Sequence, residues 1–417
     1  MMRNRMLKLH NRTIREVLGR NPIHPFPARM APGIALDVLG KADRQLSVLD
    51  PMAGSGTVLA VARAKGHRAF GVDVDPLSVL LSKVWIRPVN SKMVTREAER
   101  VEERARRSFA GIRSGFAYPR SSNEETRKFL RYWFDDYVRR QLTALCWEIE
   151  RIENSSTRDT LWCAFSKMII AKQAGVSLAM DLSHSRPHKV YSVAPVKPFD
   201  RFAQSVASVV ANCCQVDDAE TRPPASVKLG DARELSFSDE SMDLVLTSPP
   251  YLNAIDYIRC SKFSLVWMGY NVENLRQIRA TSIGTEVSGN KGEEDPRITS
   301  MLRTLKLEPA LPPRLRRILG IYTLDMLSAV GEVARVLKDG GRAVYVVGDS
   351  TLRGTFIKNS EIVVQAAEAC GLHLTSRHSR SLPASRRYLP PPKKSSQILL
   401  NSRMRKEVVL VFDKTTS

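Results

Sequence analysis

Residues 46–75 constrain the fold more than any other part of the chain. The apolar run Leu46-Ser47-Val48-Leu49 ends in Asp50, and Pro51-Met52-Ala53-Gly54-Ser55-Gly56-Thr57 turns into a helical stretch from Val58 to Lys65. Past Gly66 a second run, Arg68 to Asp75, reads as another strand with Asp73 at its carboxyl end. Strand, glycine turn, helix and acid-ended strand in this order predict an α/β sheet with a nucleotide-type site at its edge. Gly54 and Gly56 admit close backbone approach, because side chains there would block a ligand. The N–H groups at the helix start favour a carboxylate. Asp73 is placed to accept both hydroxyls of a ribose. The pattern lacks G-x-G-x-x-G and the Lys of a phosphate-binding loop.

A second turn, Thr247-Ser248-Pro249-Pro250-Tyr251, follows the apolar run Met242 to Leu246. Each proline fixes its own φ and withholds an N–H, and Pro249 pushes Ser248 out of the helical region. The Ser248 side chain and nearby carbonyls can then point at a bound amine, while Tyr251 offers a flat aromatic face. Alone, such a turn serves equally well to end a strand.

Together these residues resemble the amino-directed DNA methyltransferases, which methylate cytosine N4 or adenine N6. Asp50 to Thr57 matches the family's D-P-x-x-G-S-G-T cofactor motif, and Ser248 to Tyr251 its (D/N/S)-P-P-(Y/F) catalytic motif. Leu229-Gly230-Asp231-Ala232 is similar to the strand end whose acid reaches the cofactor adenine. His24-Pro25-Phe26-Pro27-Ala28-Arg29 is similar to the H-P-A-x-x-P element that closes over the methionine end. Leu337-Lys338-Asp339-Gly340-Gly341-Arg342 matches the turn before strand five. The resemblance covers residues 22–86 and 226–412, with the cofactor half before the catalytic half. It implies a Rossmann-like class I methyltransferase sheet with helices on both faces, an antiparallel last strand and a mainly helical insertion. It further implies S-adenosylmethionine as cofactor, held by Phe26, Asp50, Pro51, Ala53, Gly54, Gly56, Thr57, Asp73 and Asp231. Ser248, Pro249, Pro250 and Tyr251 are the implied catalytic residues, and the implied substrate is double-stranded DNA with one base flipped out. A cognate restriction endonuclease is a further implied partner.

At 417 residues, 43% of them hydrophobic, the chain can bury a sizeable core around one sheet plus an insertion. The formal net charge of +21 favours a polyanion such as DNA or RNA through counterion release. No apolar stretch reaches the length of a membrane span, and Met1 to Arg20 is too broken by charge for a secretory signal. The six cysteines show no C-x-x-C spacing, which argues against a metal site and for reduced thiols in a cytoplasmic protein.

The chain divides into an N-terminal segment with the cofactor half (1–86), an insertion (87–225) and a catalytic half (226–417). Apolar residues recur at intervals of three and four from Phe129 to Ile152, predicting one helical face over Glu124 to Ile152. A further helix is expected over roughly Thr157 to Asp181 and another over Asn253–Tyr270, with Arg276 to Arg317 irregular. By position, 87–225 is the candidate for target recognition. The basic, proline-stiffened stretch Arg377 to Lys394 should connect two strands, the second being Glu407 to Phe412. Its Arg386, Arg387, Tyr388, Lys393 and Lys394 suit contact with a nucleic-acid backbone.

Within the resembled family, Ser in the first catalytic position is commonest among cytosine-N4 enzymes, and Asp or Asn among adenine-N6 enzymes. Ser248 therefore favours cytosine N4. The alternatives are adenine N6 in DNA, an amino group of guanine in RNA, and a catalytically silent nucleic-acid-binding protein on the same fold. Oligomeric state cannot be read from this sequence.

Overall fold

The computed structural model describes residues 10–27, 29–182, 187–215, 222–252, 257–284, 295–305, 307, 311–352, 355–382 and 406–415. Seven strands form the main sheet: β1 (Ser47–Asp50), β2 (Arg68–Asp73), β3 (Ala225–Leu229), β4 (Met242–Thr247), β5 (Leu337–Gly348), β6 (Leu372–Ser381) and β7 (Lys406–Lys414). Their spatial order is β6-β7-β5-β4-β1-β2-β3. The neighbours from β3 across to β5 pair in parallel, while β7 runs antiparallel to both β5 and β6. This is the expected α/β sheet with an antiparallel last strand, which is wedged between β5 and β6. The chain order switches direction between β1 and β4, and at that point an open α/β sheet leaves a crevice beyond its strand ends.

Both faces of the sheet are covered, so its central strands are apolar almost throughout. Along β5, Ala343, Tyr345 and Val347 join one core cluster and Val344 and Val346 the other, as the two-residue period of a strand requires. Helices Pro313–Val336 and Asn359–Ala369 supply the first cluster. Helices Thr57–Ala64 and Pro76–Ile86 supply the second, which runs without a break into the helices of 91–210.

Within 87–225 the helices depart from their expected bounds. The stripe from Glu124 to Ile152 is two helices, Glu124–Trp133 and Asp136–Glu150. Phe134 leaves the helical region at φ −133° and ψ 128°, and Asp135 caps the second helix by accepting the Val138 N–H at 2.9 Å. The next helix is Ser155–Ile169, ending well before Asp181. The chain reverses at Gly175, where a Cβ would stand 2.9 Å from the Met168 carbonyl oxygen.

Beyond the Ser248–Tyr251 turn, the described helix is Tyr257–Leu265, followed by a short 3-10 turn that stops at Gly269, whose φ is 93°. The described residues of 276–317 are less irregular than expected. Helix Pro296–Thr304 starts from an Asp295 cap, and Pro313 opens the long helix to Val336. Proline at the first helical position is compatible because that N–H has no intrahelical partner. No helix of the described residues is long and apolar enough to cross a membrane.

Candidate active site

Strands β1 and β4 are neighbours, with Val48 opposite Leu244 and Leu49 opposite Val245. Their last residues therefore meet, and the Thr247 hydroxyl donates to Asp50 Oδ1 at 2.7 Å. The Met52 N–H reaches the same oxygen at 3.2 Å. Burial pushes the Asp50 carboxyl up to about 7, and these two hydrogen bonds pull against that rise.

The glycine turn wraps against the end of β2. Ala53 N–H donates to the Val72 carbonyl at 2.9 Å and Gly56 N–H to the Ala53 carbonyl at 2.8 Å. Gly54 and Gly56 hold φ of 50° and 77°. A Cβ on Gly56 would lie 2.7 Å from Ser82 Oγ and 2.9 Å from its Cα, so only glycine fits. Pro51, Ala53 and Thr57 are buried behind this turn.

Asp73 takes the Gly54 N–H on Oδ2 at 2.7 Å and the Asp75 N–H on Oδ1 at 2.9 Å. The Val74 N–H bonds it as well, so of a carboxylate's about four acceptor positions about one remains for a ligand. Burial raises its pKa to about 6, with the Asp50 charge adding to the rise. Asp75 lies deeper, caps helix Pro76–Ile86 through the Leu77 N–H at 2.9 Å, and accepts the Ser261 hydroxyl at 2.5 Å. Burial, then the Asp73 charge, lifts it to about 7.

Asp231 follows β3 beside this edge, because the Gly230 N–H donates to the Asp73 carbonyl at 3.0 Å. Its carboxylate is already engaged. Arg233 Nε approaches Oδ1 at 3.0 Å and Nη2 approaches Oδ2 at 2.6 Å, while Nη1 reaches Asp325 at 2.5 Å. Nothing in the spacing of the chain marked Arg233 or Asp325.

The Ser248–Tyr251 turn is gripped from three sides. Ser248 Oγ donates to the Val346 carbonyl at 2.9 Å and lies 3.3 Å from the Tyr251 hydroxyl. That hydroxyl reaches Glu407 Oε1 at 3.4 Å. Glu407 Oε2 accepts Arg380 Nε at 2.8 Å, and the buried Arg380 also donates to the His10 carbonyl at 2.9 Å. The third hold is the buried Tyr322, whose hydroxyl donates to the Pro250 carbonyl at 3.1 Å. Pro249 is buried, while Ser248, Pro250 and Tyr251 remain partly open. Glu407, Arg380 and Tyr322 escape sequence reasoning because each arrives from a distant element.

Phe26 is buried in the same apolar cluster as Ala53 and Val58. Neighbouring His24 is also buried, its Nε2 3.0 Å from Ser166 Oγ. Arg386, Arg387, Tyr388, Lys393 and Lys394 lie outside the described residues; β7 takes in the expected Glu407 to Phe412, whereas β6 runs to Ser381 and so takes Arg377 to Ser381 out of the expected connection.

No family model matches the chain. It is 21% identical to the type II methyltransferase M.MvaI of Kocuria varians over 410 residues, covering 92% of this chain and 88% of that protein. It is likewise 21% identical to the type II methyltransferase M.AvaI of Anabaena variabilis over 364 residues, 78% of this chain and 73% of that one. Among solved structures, it is similar to a SAM-dependent methyltransferase from Methanosarcina mazei at 8% identity and a TM-score of 0.33, covering 91% and 98% of the two chains. A DNA modification methylase, so described provisionally, from Thermus thermophilus is 18% identical over 45% of this chain and 52% of its own, with a TM-score of 0.22.

Proposed function

We propose that the protein is an S-adenosylmethionine-dependent DNA methyltransferase acting on the exocyclic amine of an extruded base, with cytosine N4 the favoured target. The observation that carries this reading is the junction of the two motifs. The Thr247–Asp50 hydrogen bond sets the glycine turn and the Ser-Pro-Pro-Tyr turn side by side at the switch point of the sheet. The type II methyltransferases that the chain resembles over most of its length support it.

The residues fit the cofactor. Gly56, lacking a Cβ, lets the glycine turn close against Ser82, and Asp73 keeps an acceptor position for a ribose hydroxyl. Bound there, S-adenosylmethionine supplies an electrophilic methyl group on a sulfonium. The chain's part is placement, which dominates when the electrophile is already activated. Because Ser248 gives its proton to the Val346 carbonyl, its oxygen is left to accept from the amine hydrogens of a base. Such a bond draws the nitrogen lone pair out of conjugation with the ring. Tyr251 provides the stacking face, worth about 1–3 kcal/mol, for a base taken out of the duplex. Residues 87–225 are the proposed target-recognition part, and the basic residues of 386–394 the proposed backbone contact.

The test is mass spectrometry of nucleosides from plasmid DNA and total RNA, each incubated with the purified protein and labelled S-adenosylmethionine. N4-methylcytosine in DNA is the expected product. N6-methyladenine overturns the choice of base, and label confined to RNA overturns the choice of nucleic acid.

A further inference from the structure

On the insertion side of the molecule, a cavity of about 370 Å³ lies between the segment Pro22–Pro25 and helices Ser155–Ile169 and Pro198–Val210. Four cationic side chains line it: Arg29, Lys167, Lys172 and Arg201. No carboxylate is among its lining residues. Lys167 donates to Ser208 Oγ at 2.7 Å, Arg201 donates to the Gln204 side-chain carbonyl at 2.5 Å, and Arg29 donates to the His24 carbonyl. Burial, and then the charges of Arg29 and Arg201 against the pull of Cys163, lower the Lys167 ammonium from its ordinary value. Like charges gathered in a recess lined by no carboxylate are stabilised by a bound anion.

A second observation is independent of the charges. His24 lines the cavity, is 3% exposed, and has no hydrogen-bond partner on Nδ1. Its other nitrogen is fixed on Ser166, which donates to Ser264 at 2.8 Å. Ser264 sits one turn along from Ser261, the partner of Asp75. The recess is thus tied by side chains to the helix that follows the catalytic turn. An anion placed there supplies the balance that lets Nδ1 carry a proton and donate.

We infer that this cavity binds a phosphate group, supplied by the backbone of the nucleic-acid substrate. The source of the phosphate rests on the DNA reading above, whereas the phosphate chemistry rests on the cavity alone.

The experiment uses the full chain and a fluorescein-labelled duplex of mixed sequence, with anisotropy followed between about 50 and 200 mM salt. Lys172→Ala and Arg201→Ala are exposed positions outside the candidate active site. Each should weaken binding about threefold or more and flatten the salt slope by about one. Lys65→Ala, beyond the far end of helix Thr57–Ala64, should leave the slope unchanged. Wild-type affinity and slope in both cavity variants overturn the assignment. If the parent protein binds no duplex, the DNA reading fails, and calorimetry with inorganic pyrophosphate decides the cavity. Binding that is lost in the double variant keeps the phosphate site with a free ligand, and absence of binding to the parent removes it.

Discussion

Thr247 and Asp50 lie 197 residues apart and share a hydrogen bond of 2.7 Å at the meeting point of two parallel strands. Neither is exposed, so the bond is formed away from water. Replacing Thr247 by Val keeps the shape and leaves the Asp50 carboxyl short of a donor, at a cost of about 1–3 kcal/mol. Urea denaturation should show that loss as a lower midpoint. An unchanged midpoint means that the bond contributes nothing.

Gly56→Ala should act on the glycine turn, the proposed cofactor site, directly. A φ of 77° strains any residue with a Cβ, and the new carbon would press on the Ser82 backbone. The expected result is a stability loss of about 2 kcal/mol or more together with loss of S-adenosylhomocysteine binding. Calorimetric affinity equal to the parent would show that the turn relaxes.

Tyr251 invites two substitutions with different outcomes. Tyr251→Phe keeps the ring and gives up the long hydroxyl contacts to Ser248 and Glu407. Tyr251→Ala removes the stacking surface, so turnover should fall roughly 5- to 150-fold while cofactor affinity holds. Similar single-turnover rates for both variants would locate the role of Tyr251 in its hydroxyl instead.

Three acids, Asp50 and Asp75 buried and Asp73 half-buried, set a pH dependence. Asp50, Asp73 and Asp75 are held at about 7, 6 and 7, above the ordinary carboxylate range, mainly by burial. A group raised in the folded state binds its proton more tightly there than in the unfolded chain. Its stabilising contribution is complete below the ordinary carboxylate pKa and is lost as pH rises through 6 to 7. Cofactor binding has the opposite sign, because ribose hydroxyls donate best to an ionised Asp73. Affinity should therefore rise as pH passes about 6, and Asp73→Asn should flatten the curve in a calorimetric series.

Arg233 is the support that Asp231 needs. Removing it in Arg233→Ala leaves Asp231 and the largely buried Asp325 facing each other without a cation. Loss of two charged hydrogen-bond pairs should destabilise the protein by about 2 kcal/mol and weaken cofactor binding. Thermal melts with and without S-adenosylhomocysteine separate the two effects.

Acid-ended strands announce themselves locally. An apolar run stops at Asp50 or Asp73, a glycine follows, and the surrounding sheet is implied. Helical spacing was equally plain in the insertion, where Leu130, Phe134, Val138, Leu142, Leu145 and Ile149 are all fully buried. The break at Phe134-Asp135 does not disturb that spacing, so periodicity alone ran two helices together. Arg233 lay beyond any such rule, because its partner Asp325 is 92 residues away. Glu407 was hidden for the same reason. It is one acid in an expected strand, and only the pairing of β7 with β5 brings it near Tyr251.

The place of β7 has a consequence for synthesis of the protein. Glu407 leaves the ribosome 156 residues after Tyr251, roughly 8–30 s later at ordinary elongation rates. Until then β5 and β6 have no strand between them and each presents a bare edge, the surface on which nascent chains associate wrongly. A chain cut short before residue 406 would carry both sequence motifs and still be a poor catalyst and a sticky one.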